Sequence, residues 1–176
     1  MSQVFVSGHK SPDTDSIAAA LSYSYLKRRL GMDAVAVRAG EINKESRFAL
    51  DYFNLEEPML VTSVARKNPE DEKQKVILVD HNESKQTIDG MDDAEVLEII
   101  DHHRFGDFES ENPIFILVRP VGCVNTVIYG LYKANHIKPS REIAGIMLSA
   151  IISDTVLFRS PTTTEEDKET AKELAE

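Results

Sequence analysis

The apolar positions along this chain fall into two kinds of stretch. Short runs rich in β-branched residues, Val4-Phe5-Val6, Ala34-Val35-Ala36-Val37, Leu60-Val61, Val76-Ile77-Leu78-Val79 and the segments 96–100 and 114–118, predict strands. The run Val76-Ile77-Leu78-Val79 is continuously apolar, as in a strand buried on both faces. Other stretches carry helical patterns, at 17–30, 44–53, 125–135, 140–152 and 164–176. Lys27, Arg28 and Arg29 suit the C-terminus of the first helix, and Gly31 stops it. Segment 66–74 is polar, charged and interrupted by Pro69, which predicts a solvated loop. Strands alternating with helices imply an α/β fold, a mainly parallel sheet flanked by helices, in one domain of 176 residues.

Three of the strands run into polar clusters: Gly8-His9-Lys10-Ser11-Pro12-Asp13-Thr14-Asp15-Ser16, Asp80-His81-Asn82-Glu83 and Asp101-His102-His103-Arg104. A parallel sheet places these strand ends on one edge, where open α/β sheets bind ligands. Pro12 holds Ser11 out of the helical region, so that His9, Asp13 and Asp15 converge and are not carried round a helix. A cap of the following helix by one of these aspartates is the simpler alternative. Asp154, where the apolar helix 140–152 ends, adds a carboxylate. Carboxylate and imidazole without thiolate suit manganese, cobalt, magnesium or iron better than structural zinc. Six candidate ligands exceed one ion's needs, and two ions ~3.5–4 Å apart, bridged by a carboxylate and an acidified water, favour phosphoryl transfer to water. Ligating imidazole must be neutral, so with a pKa near ~6.5 metal affinity is expected to fall below about pH 6.

Composition narrows the partners. A net charge of −10 argues against nucleic acid, and part of it is ligand carboxylate that cations would offset. No apolar stretch reaches the ~18 residues of a membrane span, and no signal segment is visible, so a cytoplasmic protein with no membrane partner is expected. Cys123 is the only cysteine, which excludes an internal disulfide; without an evident activating histidine it reads as a packing residue.

Gly-His-x-x-Pro-Asp-Thr-Asp at 8–15, Val-Asp-His-Asn-Glu at 79–83, Ile-Asp-His-His-Arg at 100–104, Pro-Val-Gly at 120–122, Ile-Ser-Asp-Thr at 152–155 and Ser-Pro-Thr at 160–162 follow one another in order. With them the chain resembles a family II inorganic pyrophosphatase of the DHH phosphoesterase superfamily. The resemblance implies hydrolysis of pyrophosphate to phosphate. His9, Asp13 and Asp80 would hold one metal, and Asp15, Asp80, His102 and Asp154 the other, with Asp80 bridging. His103 would donate to the substrate phosphate, while Asp101 and His81 orient ligands. Two manganese or cobalt ions, magnesium during turnover, and a homodimer through this domain are further implications. Lys10-Ser11 departs from the family's Gln-Asn and is expected to put a cation near the first metal. The family's second domain, whose Arg and Lys clamp the distal phosphate, has no counterpart in residues 1–176, so a truncated, weakly active catalytic domain is expected. Within this chain Lys10, Arg104 and Arg119 are the cations nearest the motifs. Two rival readings are a phosphodiesterase for short oligonucleotides or cyclic dinucleotides, and a metal-binding module without turnover. The former commonly has Gly where Thr14 stands.

Overall fold

The computed structural model describes residues 3–176. Strand β1 (Val4–Ser7) pairs in parallel with β2 (Ala34–Arg38) on one side and with β4 (Lys75–Val79) on the other, Val4 facing both Ala34 and Lys75. β3 (Met59–Leu60) lies outside β2, while β5 (Glu95–Asp101) and β6 (Phe115–Val118) follow β4. The result is a six-stranded parallel sheet in the order β3-β2-β1-β4-β5-β6. The helices are α1 (Thr14–Arg29), α2 (Lys44–Tyr52), α3 (Val124–Ala134), α4 (Arg141–Asp154) and α5 (Glu165–Ala175).

The chain builds the sheet outward from β1 in one direction, then returns and builds in the other. Parallel crossovers are right-handed, so those of the two halves lie on opposite faces. The five helices pack on one face, against Val4, Val6, Ala34, Ala36, Ile77, Val79 and Ile100. Ile17, Leu26, Val127, Ile128, Ile146, Met147 and Ile151 fill that layer, each fully buried side chain contributing about 1.5–3 kcal/mol. The alternate residues Val37, Val76, Leu78 and Ile99 face the other way and are covered without helices. Val64 and Ile88 from the connecting segments do this, with half-buried Met91, Phe108 and Ile114. Those connections hold only two short 3-10 turns, Ser84–Gln86 and Met91–Asp93. The flanking helices of the sequence reading are therefore one-sided. Between β1 and β4 the winding reverses, which opens a crevice at the carboxyl ends of these strands.

Helix α1 begins at Thr14, three residues before the predicted start, with Asp13 as its N-cap accepting from Ser16 N at 2.9 Å. Asp15 thus lies within the first turn and is carried round the helix after all. The turn from β1 into α1 is close: Ser16 Oγ accepts from His9 N at 3.0 Å. A Cβ on Gly8 would stand 1.8 Å from that oxygen. Gly8→Ala should therefore destabilise the metal-free protein by about 1–3 kcal/mol, as overpacking does. An unchanged denaturant midpoint would show that Ser16 has room to move.

Candidate metal centre

Gly8 turns the chain off β1 so that His9 reaches back over the sheet edge. His9 Nε2 lies 3.7 Å from Asp13 Oδ2 and 3.4 Å from Asp80 Oδ2. Asp13 does two things at once, since its Oδ1 caps α1. Asp80 follows β4 with φ 63°, a left-handed conformation that costs about 1–2 kcal/mol and that Asp tolerates better than most residues. Its N–H still donates to Ile100 O at 2.9 Å, continuing the β4–β5 ladder while the side chain turns into the crevice. Asp80 Oδ1 lies 3.3 Å from His102 Nε2, just beyond β5. One buried carboxylate thus meets a different imidazole with each oxygen. His102 Nε2 is also 3.6 Å from Asp15 Oδ2 and 3.8 Å from Asp154 Oδ2, at the last residue of α4. The structure brings His9, Asp13, Asp15, Asp80, His102 and Asp154 together.

Neighbouring groups, most of them contributed by other elements, fix these side chains. His102 Nδ1 is 2.9 Å from Val121 O; a carbonyl only accepts, so Nδ1 carries a proton and Nε2 is the nitrogen turned to the carboxylates. The backbone beside Val121 is held in turn: Gly122 N donates to Asp167 Oδ2 at 2.9 Å, and Thr126 Oγ1 to Asp167 Oδ1 at 2.6 Å. Helix α5 thereby supports His102 through a buried aspartate. Glu45 Oε1 accepts from Thr14 Oγ1 and from Ser153 Oγ, both at 2.5 Å, tying the start of α1 to the end of α4. The buried Asp15 carboxylate accepts from the first turn of α3, from Val124 N at 2.8 Å and the Cys123 thiol at 2.9 Å. Burial, then the charges of Asp15 and Asp154, push that thiol well above its usual range. Cys123 is therefore a donor to Asp15 as well as a packing residue. No local pattern singles out Glu45, Asp167 or Asn125, because each acts on a partner at least thirty positions away in sequence.

Asp101 is buried and accepts from His102 N at 2.7 Å, His103 N at 3.1 Å and His103 Nδ1 at 2.9 Å. His103 is thus pinned by Nδ1 while its half-exposed ring borders a cavity of about 270 Å³. That cavity is lined by His9, Asp80, His81, Asn82, His103 and Arg104 among others. His81 donates from Nδ1 to Val79 O at 3.0 Å, and burial lowers its pKa to about 4, so it is neutral. Lys10 turns away, its Nζ 2.5 Å from Asp89, so the expected cation beside the first metal is absent from the cluster. A larger cavity of about 790 Å³ lies among segments 84–97 and 107–114 and includes none of the six converging side chains.

The charge state follows from burial. Asp154 is pushed up to about 11, by burial first and then by the charge of Asp15 and a hydrogen bond with it. Asp80 is raised by burial and by Asp15. Burial alone would lower the histidines, yet Asp13 and Asp80 raise His9 to about 10, and Asp80 and Asp15 raise His102 to about 9. The cluster therefore retains protons at neutral pH. Its atoms suit a divalent cation: Asp80 Oδ1 and His102 Nε2 are buried and only 3.3 Å apart, yet neither makes a hydrogen bond. Three groups of possible ligand atoms lie here, the first two sharing Asp80: His9, Asp13 and Asp80; Asp80, His102 and His103; and Asp15, Cys123 and Asp154.

Two predictions follow from this geometry. Because Asp80 faces both halves, Asp80→Ala should abolish manganese binding throughout the cluster, whereas His9→Ala should weaken mainly one ion; calorimetric titration separates the two cases. Equal single-ion losses from both variants would count against a shared Asp80. A cation must also displace the protons held by His9 and His102, whose values lie near 10 and 9. Manganese affinity should then keep rising from pH 6 to 8.5, by up to about tenfold per unit for each proton displaced. This window lies above the one expected for free imidazole. A flat profile would remove both histidines as ligands.

Among known proteins, the DHH family model (N-terminal domain) matches residues 3–151. The chain is 54% identical, over 99% of its length, to the probable manganese-dependent inorganic pyrophosphatase of Bacillus licheniformis. It is 52% identical over its whole length to the protein of the same description from an Exiguobacterium species. In both cases it spans only 55% of the relative. A crystal structure of a putative family II inorganic pyrophosphatase from Methanococcus jannaschii superposes with a TM-score of 0.88 at 42% identity, covering 98% of this chain and 55% of that one. The match over most of the chain, with the strand-end carboxylates and histidines lying inside it, makes this protein a member of the DHH family.

Proposed function

We propose that this chain is the metal-binding catalytic domain of a manganese-dependent inorganic pyrophosphatase. The observation that carries the proposal is Asp80, whose two oxygens face His9 and His102 respectively. His9, Asp13 and Asp80 would hold one ion, and Asp15, Asp80, His102 and Asp154 a second. Relatives described as manganese-dependent support the metal, with magnesium also able to serve during turnover. When bound, the ions supply Lewis acidity that brings a water's pKa toward neutrality and offsets phosphate charge.

The chain's own residues do the rest. Pyrophosphate enters the cavity beside the cluster, where the ring of His103, fixed through Nδ1 by Asp101, presents Nε2 to a phosphate oxygen. The hydrogen bond that His103 donates to Asp101 raises the pKa of His103, which favours the donating form. Hydrolysis adds water's oxygen to one phosphorus, breaks the bridging P–O bond and leaves the second phosphate to take up a proton. Charge grows on that leaving phosphate, and this chain has few free cations to meet it. Lys10 is paired with Asp89, Arg104 with Glu83 at 3.1 Å, and Arg119 with Glu166 through two contacts of 2.7 Å. The relatives extend well beyond the length matched here, and a second domain supplying Arg and Lys would complete the site. No helix among the described residues is long and apolar enough to cross a membrane. A cytoplasmic homodimer, with neither nucleic acid nor membrane as partner, completes the reading.

The test is phosphate release from pyrophosphate with manganese, on this chain alone and with a relative's second domain fused to it. Slow turnover alone, restored by several powers of ten in the fusion, is the expected result. Turnover of a phosphodiester and none of pyrophosphate by the fusion would overturn the assignment. In the same fusion, His103→Gln should keep its metal and lose about 10²–10³ in turnover, as when one charge-stabilising donor is removed. A metal-depleted His103→Gln protein would instead make His103 a ligand.

A further inference from the structure

Asn125 stands at the start of α3, outside every motif discussed so far, and is fully buried. Its Nδ2 donates to Asp15 Oδ1 at 2.6 Å and also approaches the main-chain oxygen of the same residue, Asp15 O, at 3.3 Å. Both amide protons are thus directed at Asp15, one at the carboxylate and one at the backbone that carries it. The other end of the amide is fixed as well: Asn125 Oδ1 accepts from Ser22 Oγ, two α1 turns further on, at 2.9 Å. A flipped amide would aim its oxygen at the Asp15 carboxylate, an acceptor facing an acceptor, so the contacts allow one orientation. Ser22, Asn125 and Asp15 are all shielded from water, so none can exchange these partners for solvent.

The consequence is a division between the two oxygens of Asp15. Oδ1 is occupied by Asn125 Nδ2 and by the Cys123 thiol. Oδ2 takes a single donor, Val124 N, and points to His102 Nε2 at 3.6 Å. We infer that Asn125 is a positioning residue for one half of the metal centre: it clamps Asp15 at side chain and backbone together, so that Oδ2 alone is presented beside His102 and Asp154. This rests on the two-ion reading proposed above. The clamp does not touch His9 or Asp13, so it acts on the Asp15–His102–Asp154 half and spares the other.

Manganese binding to the metal-free protein, resolved into two steps by calorimetry, tests this. Asn125→Ala should weaken one of the two steps by about 10–100-fold, the range for partners that orient ligands, and leave the other within about twofold. Ser22→Ala, a smaller perturbation at the far end of the same amide, should weaken the same step by less and guards against an Asn125 variant that does not fold. A merely structural role is separated by a double-mutant cycle. If Asn125 acts through Asp15, adding Asn125→Ala to Asp15→Ala should cost no further affinity, whereas a general loosening of the α1–α3 contact would add to it. Folded variants with both steps unchanged, equal losses in both steps, or additive losses in the cycle would each overturn the assignment. A wild-type protein that binds no manganese would instead overturn the metal reading, and this inference with it.

Discussion

Repulsion among buried carboxylates is the constraint about which the crevice is arranged. Asp15, Asp80 and Asp154 surround His102 Nε2 within 3.8 Å. Two unit negative charges about 4 Å apart repel by about 4 kcal/mol at an effective dielectric constant near 20. The fold answers with positive ends of dipoles: Asp13 and Asp15 sit at the start of α1, and the first turn of α3 also aims its donors at Asp15. Asp154 has no such help, because it closes α4 at the C-terminal end, where the dipole is of the wrong sign. Its pKa is pushed up to about 11, with burial first and then Asp15 as the causes. A group that grips its proton so firmly on its own is one a divalent cation would relieve.

The supporting structure is layered by distance from that point. Backbone turns set the directions, through the close Gly8 turn and the left-handed Asp80. Buried side chains then remove rotational freedom, Asn125 for Asp15, Asp101 for His103 and the Val121 carbonyl for His102. Helices that carry no candidate ligand come last, α2 through Glu45 and α5 through Asp167. The cations nearest the motifs, Lys10, Arg104 and Arg119, are by contrast each paired with a carboxylate. The centre is therefore well furnished to hold cations and poorly furnished to hold the far end of a polyanion.

Much of this was legible along the chain because it depends on strand ends. Parallel strands put whatever follows them on one edge, so Gly8–Asp15, Asp80 and His102 could be brought together from order alone. What stayed hidden depends on contacts across the fold. The start of α1 was misplaced because Asp13 and Asp15 were read as converging off the helix, with a cap as the alternative, whereas Asp13 is both the cap and a neighbour of His9. The charge on Lys10 looked central by position, but its side chain reaches Asp89. Cys123 looked inert because its partner, Asp15, lies over a hundred residues away. The one-sided helical layer was equally hidden, since no strand pattern tells which face a connection will cross.

That one-sidedness bears on how such a protein can diverge. The face bearing five helices is a dense aliphatic layer that also fixes Asp15, His102 and Asp154, so a change there is transmitted to these side chains. The opposite face is closed by connecting segments through Val64, Ile88, Met91, Phe108 and Ile114. The charged stretch 66–74 adds no residue to that layer and makes polar contacts instead: Arg66 holds Asp93 at 2.7 Å, and Asn68 N donates to the carboxylate of Asp71. A change of length within 66–74 should alter the outline of the molecule and spare the six converging side chains, none of which that stretch bonds. The sheet thus acts as a partition, with the supports of Asp15, His102 and Asp154 on one side and helix-free connections on the other.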